Sequence, residues 1–233
     1  MYGSYTTAEV AVQEQKKFLV KVHGWMGLAV LLTAFAAFFT SKNAFLEQLI
    51  FGNPFGWLVL VVGEVALVWF LSARVFRLSF ETGLALFTLY SVLNGVTLSA
   101  VFLVYSLGSI AGVFFISAGM FFAMSLYGWV TKADLSKWGS ILFMALIGVI
   151  IASVVNFFLH SGVFQTIISF VGVLVFVGLT AYDSFRLRRM QAELAGDTVM
   201  LRKLGLLGAL SLYLDFINLF LMMLQLFGGR RSS

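Results

Sequence analysis

The chain has 233 residues, of which 61% are hydrophobic and 11% charged, with a mean hydropathy of +1.01 and a formal net charge of +5. A water-soluble domain of this length could not bury that much apolar surface, so lipid is the solvent. The absence of cysteine excludes structural disulfides and thiolate metal sites, and a single proline, Pro54, agrees with long uninterrupted helices.

In chain order, residues 1–21 (MYGSYTTAEVAVQEQKKFLVK) are polar and mixed in charge. They lack the apolar run and small-residue cleavage site of a signal peptide, so they read as an N-terminal segment ahead of a first span that is itself the targeting signal. A helix needs about 20 apolar residues to cross a bilayer. Residues 22–41 supply them, with His23 as the one candidate charge, and residues 48–73 follow, entered through GNP at 52–54 and carrying a single charge, Glu64. Residues 82–131 hold no charge and are long enough for two spans, divided at YSLGS (105–109). Residues 138–182 hold two more, divided at HSG (160–162), and residues 204–229 give the last, interrupted by Asp215. The runs do not alternate as barrel strands do. The expected fold is therefore an all-α integral membrane protein with seven transmembrane helices over 22–229 and a short tail, 230–233.

The basic residues set the orientation. Lys16, Lys17, Lys21, Arg74, Arg77, Lys132, Lys137, Arg186, Arg188, Arg189, Arg202 and Lys203 fall on one side, twelve of the fifteen, against Lys42, Arg230 and Arg231 on the other. Cytoplasmic loops carry the Lys/Arg excess, which places the N-terminus inside and the C-terminus outside. The same distribution accounts for the net charge without a nucleic-acid partner. The segment 183–203 is too short to hold a core of its own and reads as a cytoplasmic loop with some helix.

Seven of the ten acids (Glu9, Glu14, Glu47, Glu81, Asp134, Glu193, Asp197) fall in tails or loops, leaving Glu64, Asp183 and Asp215. Asp215 lies eleven residues into its span, roughly 16 Å deep, and Glu64 comes to a similar depth, ten residues before Arg74. An ionisable group there costs several kcal/mol unless neutral or paired, and such residues are functional by default. Ser211, Asp215, Asn218, Met222 and Gln225 follow helical spacing and share one face. Shorter polar stripes, Tyr90–Asn94–Thr97 and Ser153–Asn156–His160, read as interhelical hydrogen bonding, with His160 itself a solvated loop residue. GSIAG at 108–112 reads as close helix packing. Asp183 and Asp215, on successive helices, would share a proton if their side chains meet, because two like charges at close range cannot both ionise cheaply.

Here the residues carry a resemblance. GLTAYDSFRL around Asp183, ALSLYLDFINLFLMML around Asp215, MSLYGWVTKADLS (124–136) and FMALIGVIIASVVNFF (143–158) resemble the Bax inhibitor-1 (transmembrane Bax inhibitor motif) family, in its bacterial branch. The likeness runs from about Gly24 to Gly228. It implies a bundle with a central last helix, an inner-membrane location, and a pH-sensitive calcium leak with no enzymatic activity. It further implies that Asp183 and Asp215 form the pH sensor, that Arg74 latches Asp183 in the closed state, and that Glu64 contacts the cation along with Asp215 and Asn218. Calcium would be the transported ion rather than a cofactor, with Asp183 and Asp215 as its metal contacts.

Two other readings stand beside it. One is a non-transporting regulator of membrane proteases or stress responses, with those proteases as partners. The other is an intramembrane aspartyl protease of the presenilin-like kind, which two proton-sharing aspartates would suit. Against the latter, Leu212, Tyr213 and Leu214 stand where a glycine-x-glycine motif is needed, and no proline-alanine-leucine motif follows.

Overall fold

The computed structural model of the chain describes residues 7–231, and within them the side chains of residues 12–53 and 55–231. The first six residues of the N-terminal segment, the side chain of Glu9 and the last two residues of the tail lie outside these. In chain order the helices are α1 (Thr7–Thr40), α2 (Ala44–Phe51), α3 (Pro54–Arg74), α4 (Phe80–Leu98), α5 (Ala100–Val104), α6 (Leu107–Val130), α7 (Ser136–Leu159), α8 (Gly162–Glu193) and α9 (Thr198–Phe227). Seven spans are long and apolar enough to cross a membrane, α4 and α5 together forming the third.

Local chemistry explains the boundaries. Asn43, Asn53, Ser79, Ser106, Ser161 and Asp197 each accept a backbone N–H at a helix start. Caps of this kind contribute about 1 kcal/mol apiece. Pro54 occupies the first turn of α3, where its missing N–H costs nothing. α7 ends at His160, whose left-handed φ of 51° lets its N–H return to the Asn156 carbonyl, and the α8–α9 turn uses Gly196 at φ 100°, where a side chain would be strained. His160 is exposed, as expected of a loop residue.

Three boundaries differ from expectation. α1 begins at Thr7, so the described part of the polar N-terminal segment continues the first span, built from good helix formers such as Ala, Glu, Gln and Lys. α8 runs to Glu193, well beyond the apolar stretch that ends at Tyr182, for the same reason. The short α2 carries no sequence period long enough to announce it.

The last helix is central. Of the most apolar stretch of α9, 61% is buried, against 11% for α3 and α7. α9 packs on α8, α1, α6 and α4; α3 lies outside against α4 and α2, and α7 lies outside against α8. Tyr213, Leu212 and Leu219 on α9 are fully enclosed, and Phe216 meets Phe114 and Phe121 edge-on at 5.4 and 5.6 Å. Close helix approach comes from Gly128, where a methyl group would strike the Ala181 backbone, and from Gly95 against Thr33 and Ala36. It does not come from GSIAG: methyl groups on Gly108 and Gly112 would meet nothing within 4 Å. Those glycines fall off the face of α6 that carries Val113, Ser117, Phe121 and Ser125 into the core.

Candidate functional site

α9 exposes two polar faces to two different neighbourhoods. On one, Ser211, Asp215, Asn218 and Met222 line a cavity of about 790 Å³ shared with α7 and α8. α8 contributes Asp183 and Arg186; α7 contributes residues from Gly139 to Val154, a length of about 22 Å. The cavity therefore runs from the Lys/Arg-rich ends of these helices to beyond mid-span. Beside it, α7 packs on α8.

Asp183 and Asp215 thus line one cavity and lie within electrostatic reach of each other. Asp215 is 6% exposed, and its Oδ2 has no hydrogen-bond partner among the described residues. An unpartnered buried carboxylate oxygen costs free energy that no structural contact here offsets. Asn218 joins them in the cavity, its Nδ2 donating to the Leu214 carbonyl at 2.8 Å, so its Oδ1 is left for the cavity side.

Beyond the deep end of the cavity, amides close the bundle. Asn156 Nδ2 donates to Gln165 Oε1 at 2.8 Å, while Gln165 Nε2 and Ser169 Oγ donate to Gln225 Oε1 at 2.6 and 2.7 Å. This cluster ties α7, α8 and α9 at one level, and Met222 lies against Gly172 just inside it. The Asn156 stripe is therefore interhelical hydrogen bonding, as expected, while Ser153 bonds back to the Val149 carbonyl and faces the cavity.

Two expected members stand elsewhere. Glu64 does not line the cavity. It is 7% exposed on α3 and accepts from Thr97 Oγ1 and from Asn94 Nδ2 at 3.4 Å. Asn94 accepts in turn from Tyr213 OH at 3.0 Å, and Tyr213 OH lies 2.7 Å from Thr33 Oγ1. The stripe on α4 is hydrogen bonding as expected, but its partner is an acid, and α9 separates that acid from Asp215. Arg74 does not reach Asp183 either. α3 packs on α4 and α2 rather than α8, and the exposed Arg74 guanidinium lies over the Phe70 ring at 5.9 Å, with no ion pair among the described residues. The latch is not formed in this conformation.

The cation near the pair is Arg186, one turn after Asp183 on the same helix and at the cavity lining. The i, i+3 spacing of Asp183 and Arg186 was available in the sequence as a pairing signal. A second chain of groups was missed: His23 Nδ1 donates to the Leu19 carbonyl at 3.0 Å, His23 Nε2 lies 3.0 Å from Ser125 Oγ, and Ser125 Oγ lies 2.8 Å from Ser184 Oγ. It links α1, α6 and α8 beside Asp183. Only two carboxylates meet in the cavity, and no group of three or more metal-binding side chains occurs among the described residues. That is far from the six to eight oxygens of a calcium site that retains its ion.

Comparison with known proteins agrees with this architecture. The family described as "Inhibitor of apoptosis-promoting Bax1" matches residues 15–232. The chain belongs to the Bax inhibitor-1 family. It is 50% identical over 215 residues to the inner membrane protein YbhL of Escherichia coli, covering 92% of each chain. It is 44% identical over 219 residues to an uncharacterised protein of Borreliella burgdorferi, covering 94% of each. A membrane protein of Streptococcus pyogenes is 36% identical over 227 residues, covering 96% of each. With seven spanning helices and inner-membrane relatives over nearly its full length, this Bax inhibitor-1 family member is a multi-pass inner-membrane protein.

Proposed function

We propose that the chain is a pH-sensitive cation leak, with calcium as the transported ion, whose gate is the Asp183–Asp215 pair. The observation that carries this reading is that both acids, from successive helices, line one elongated cavity reaching from the basic end of the bundle past mid-span. Carboxylates and amide or hydroxyl oxygens suit a hard cation, and a sparse set suits passage rather than retention. Asp215 and Asn218 belong to the pathway; Glu64, behind α9, acts on it through Tyr213 and α4. The amide cluster at Asn156, Gln165 and Gln225 closes the far end, so flux requires that α7 and α9 part there. A proton shared by the acids holds them together, and its loss sets two like charges against each other across the cavity. The Arg74 latch belongs, in this proposal, to another conformation, in which the end of α3 approaches α8.

The test is calcium uptake into proteoliposomes of the purified chain, followed with an enclosed dye across pH 5 to 8. Flux above protein-free liposomes, with a pH profile that Asp215→Asn flattens, supports the proposal. No flux at any pH would overturn it in favour of a non-transporting regulator of membrane proteases, and cleavage of a membrane peptide by the purified chain would overturn it in favour of proteolysis.

A further inference from the structure

At the N-terminal end of the bundle, on the side away from the aspartate cavity, a groove of about 1110 Å³ opens between α1, the start of α4, the end of α8 and the start of α9. Its composition changes with depth. Along α1 the groove-lining residues Lys17, Lys21, Gly24 and Leu28 follow at spacings of 4, 3 and 4, so one face carries ammonium groups at the outer level and apolar surface further in. Trp25 and Phe80 meet edge-to-face at 6.2 Å on the apolar floor, and Leu201 adds to it. Arg202 stands at the rim, its guanidinium over the Phe80 ring at 4.3 Å and 3.9 Å from exposed Glu81.

The lining acid, Glu14, is bonded to Lys17 at 2.9 Å, whereas Lys21 has no ion pair among the described residues. The charge facing the groove is therefore net positive. Gln191 lines the groove, is 5% exposed, and makes no side-chain hydrogen bond among the described residues, its Oε1 being wholly buried and unpartnered. That oxygen is an acceptor, which an anionic group cannot satisfy, so the groove's preference for an anion rests on its basic side chains.

We infer that this groove binds an anionic phospholipid of the cytoplasmic leaflet, its phosphodiester at Lys21 and Arg202 and its acyl chains along Trp25, Phe80, Leu28 and Leu201. Basic pockets between spanning helices on the cytoplasmic side hold anionic headgroups, and each basic side chain near the surface contributes about 1 kcal/mol. The arrangement also has a consequence for the gate. Gln191 lies in the last turn of α8, Gly196 in the α8–α9 connection and Thr198 at the start of α9, so the lipid fastens the link between the two aspartate-bearing helices to α1.

The experiment is native mass spectrometry of the detergent-solubilised full chain, titrated with phosphatidylglycerol or phosphatidylcholine of the same acyl chains. One phosphatidylglycerol per chain should be retained at least tenfold more tightly than phosphatidylcholine. Lys21→Gln/Arg202→Gln should weaken it about thirtyfold, the equivalent of two lost charges. Lys132→Gln/Lys137→Gln, which removes the same charge from exposed positions in the α6–α7 loop and the first turn of α7, should leave binding unchanged. The residues changed at the rim are exposed, and retained helicity by circular dichroism checks each variant. Equal retention of the two lipids would show a generic acyl groove, and equal losses from the two charge-removing pairs would show diffuse attraction; either overturns the proposal. Tight binding that appears only after residues 1–6 are deleted would mean that the chain fills its own groove, and would also overturn it.

Discussion

Tyr213 and Asp215 stand two residues apart on α9 and serve two separate polar sites. Two residues turn the helix by about 200°. Tyr213 therefore bonds toward Thr33 and Asn94, in the network that ends on Glu64, while Asp215 lines the cavity with Asp183. α9, the most buried of the spanning helices among the described residues, thus carries a residue of each site.

The aspartates are expected to titrate as one unit. Asp215→Asn and Asp183→Asn keep nearly the native shape and remove a titratable proton, so each should flatten the pH dependence of calcium flux. The double variant should add little, because coupled groups are not additive. Flux measured on all three at matched reconstitution decides it. Two single variants with wild-type pH profiles would sink the sensor.

Tyr213→Phe separates the two faces of α9. The phenolic proton serves Thr33 or Asn94, and its loss leaves a buried network one donor short. Thermal unfolding in detergent should report a loss of about 1 kcal/mol. The pH profile of flux should survive, since Asp183 and Asp215 are untouched. A flattened profile with unchanged stability would mean that the proton moves through Tyr213.

These contrasts also show what the sequence could reveal. The spans were legible because crossing a bilayer imposes a length and an apolar content on every segment, and Asp215 was legible because a carboxylate in such a segment has no cheap alternative explanation. That Asp183 lines the same cavity fits their place on adjacent helices. What could not be read was which side of a helix faces which neighbour. Glu64 and Asp215 lie at matching depths, so depth alone puts them in one pathway, and only the packing of α3 outside α4 separates them. Arg74 likewise sits at the right level but on a peripheral helix. The Gly108–Gly112 spacing fits close packing, yet the face it marks is turned away from the core of this chain.

The glycines offer a direct check on those faces. Gly128→Ala places a methyl group against the Ala181 backbone, which cannot yield as a side-chain tip would. It should cost about 1–3 kcal/mol or more, seen as a lowered unfolding temperature. Gly108→Ala and Gly112→Ala meet open space and should change stability by less than about 0.5 kcal/mol. Comparable losses at Gly112 and Gly128 would mean that another molecule packs on that face of α6.

Orientation can be tested without background, because the chain contains no cysteine. Lys132→Cys, in the α6–α7 loop, should react with an impermeant maleimide only after the cytoplasmic side is opened. Lys42→Cys, between α1 and α2, should react in intact cells stripped of their outer layer. The reverse pattern would invert the topology and place the lipid groove in the opposite leaflet.

The last prediction sets Arg186 against Arg74. Arg186 stands one turn from Asp183 at the cavity lining, so its guanidinium favours the ionised acid in the conformation described here. Replacing it by Gln removes that support while keeping length and polarity. The flux–pH curve should then move to higher pH, by a few tenths of a unit to about one unit, since an exposed cation is screened. Arg74 touches only the Phe70 ring here, so Arg74→Ala should leave the midpoint of the curve in place. If α3 swings in to latch Asp183 when the pathway closes, the same variant raises basal leak at the pH of lowest flux, and Arg74→Lys restores closure in part because an ammonium cannot make the bidentate contact. Arg77→Ala, three residues on and exposed, is the control. A shifted midpoint from Arg186→Gln with raised basal leak from Arg74→Ala would assign the two arginines to two conformations of one gate. Equal behaviour of Arg74→Ala, Arg77→Ala and Arg186→Gln would reduce all three to signals of topology.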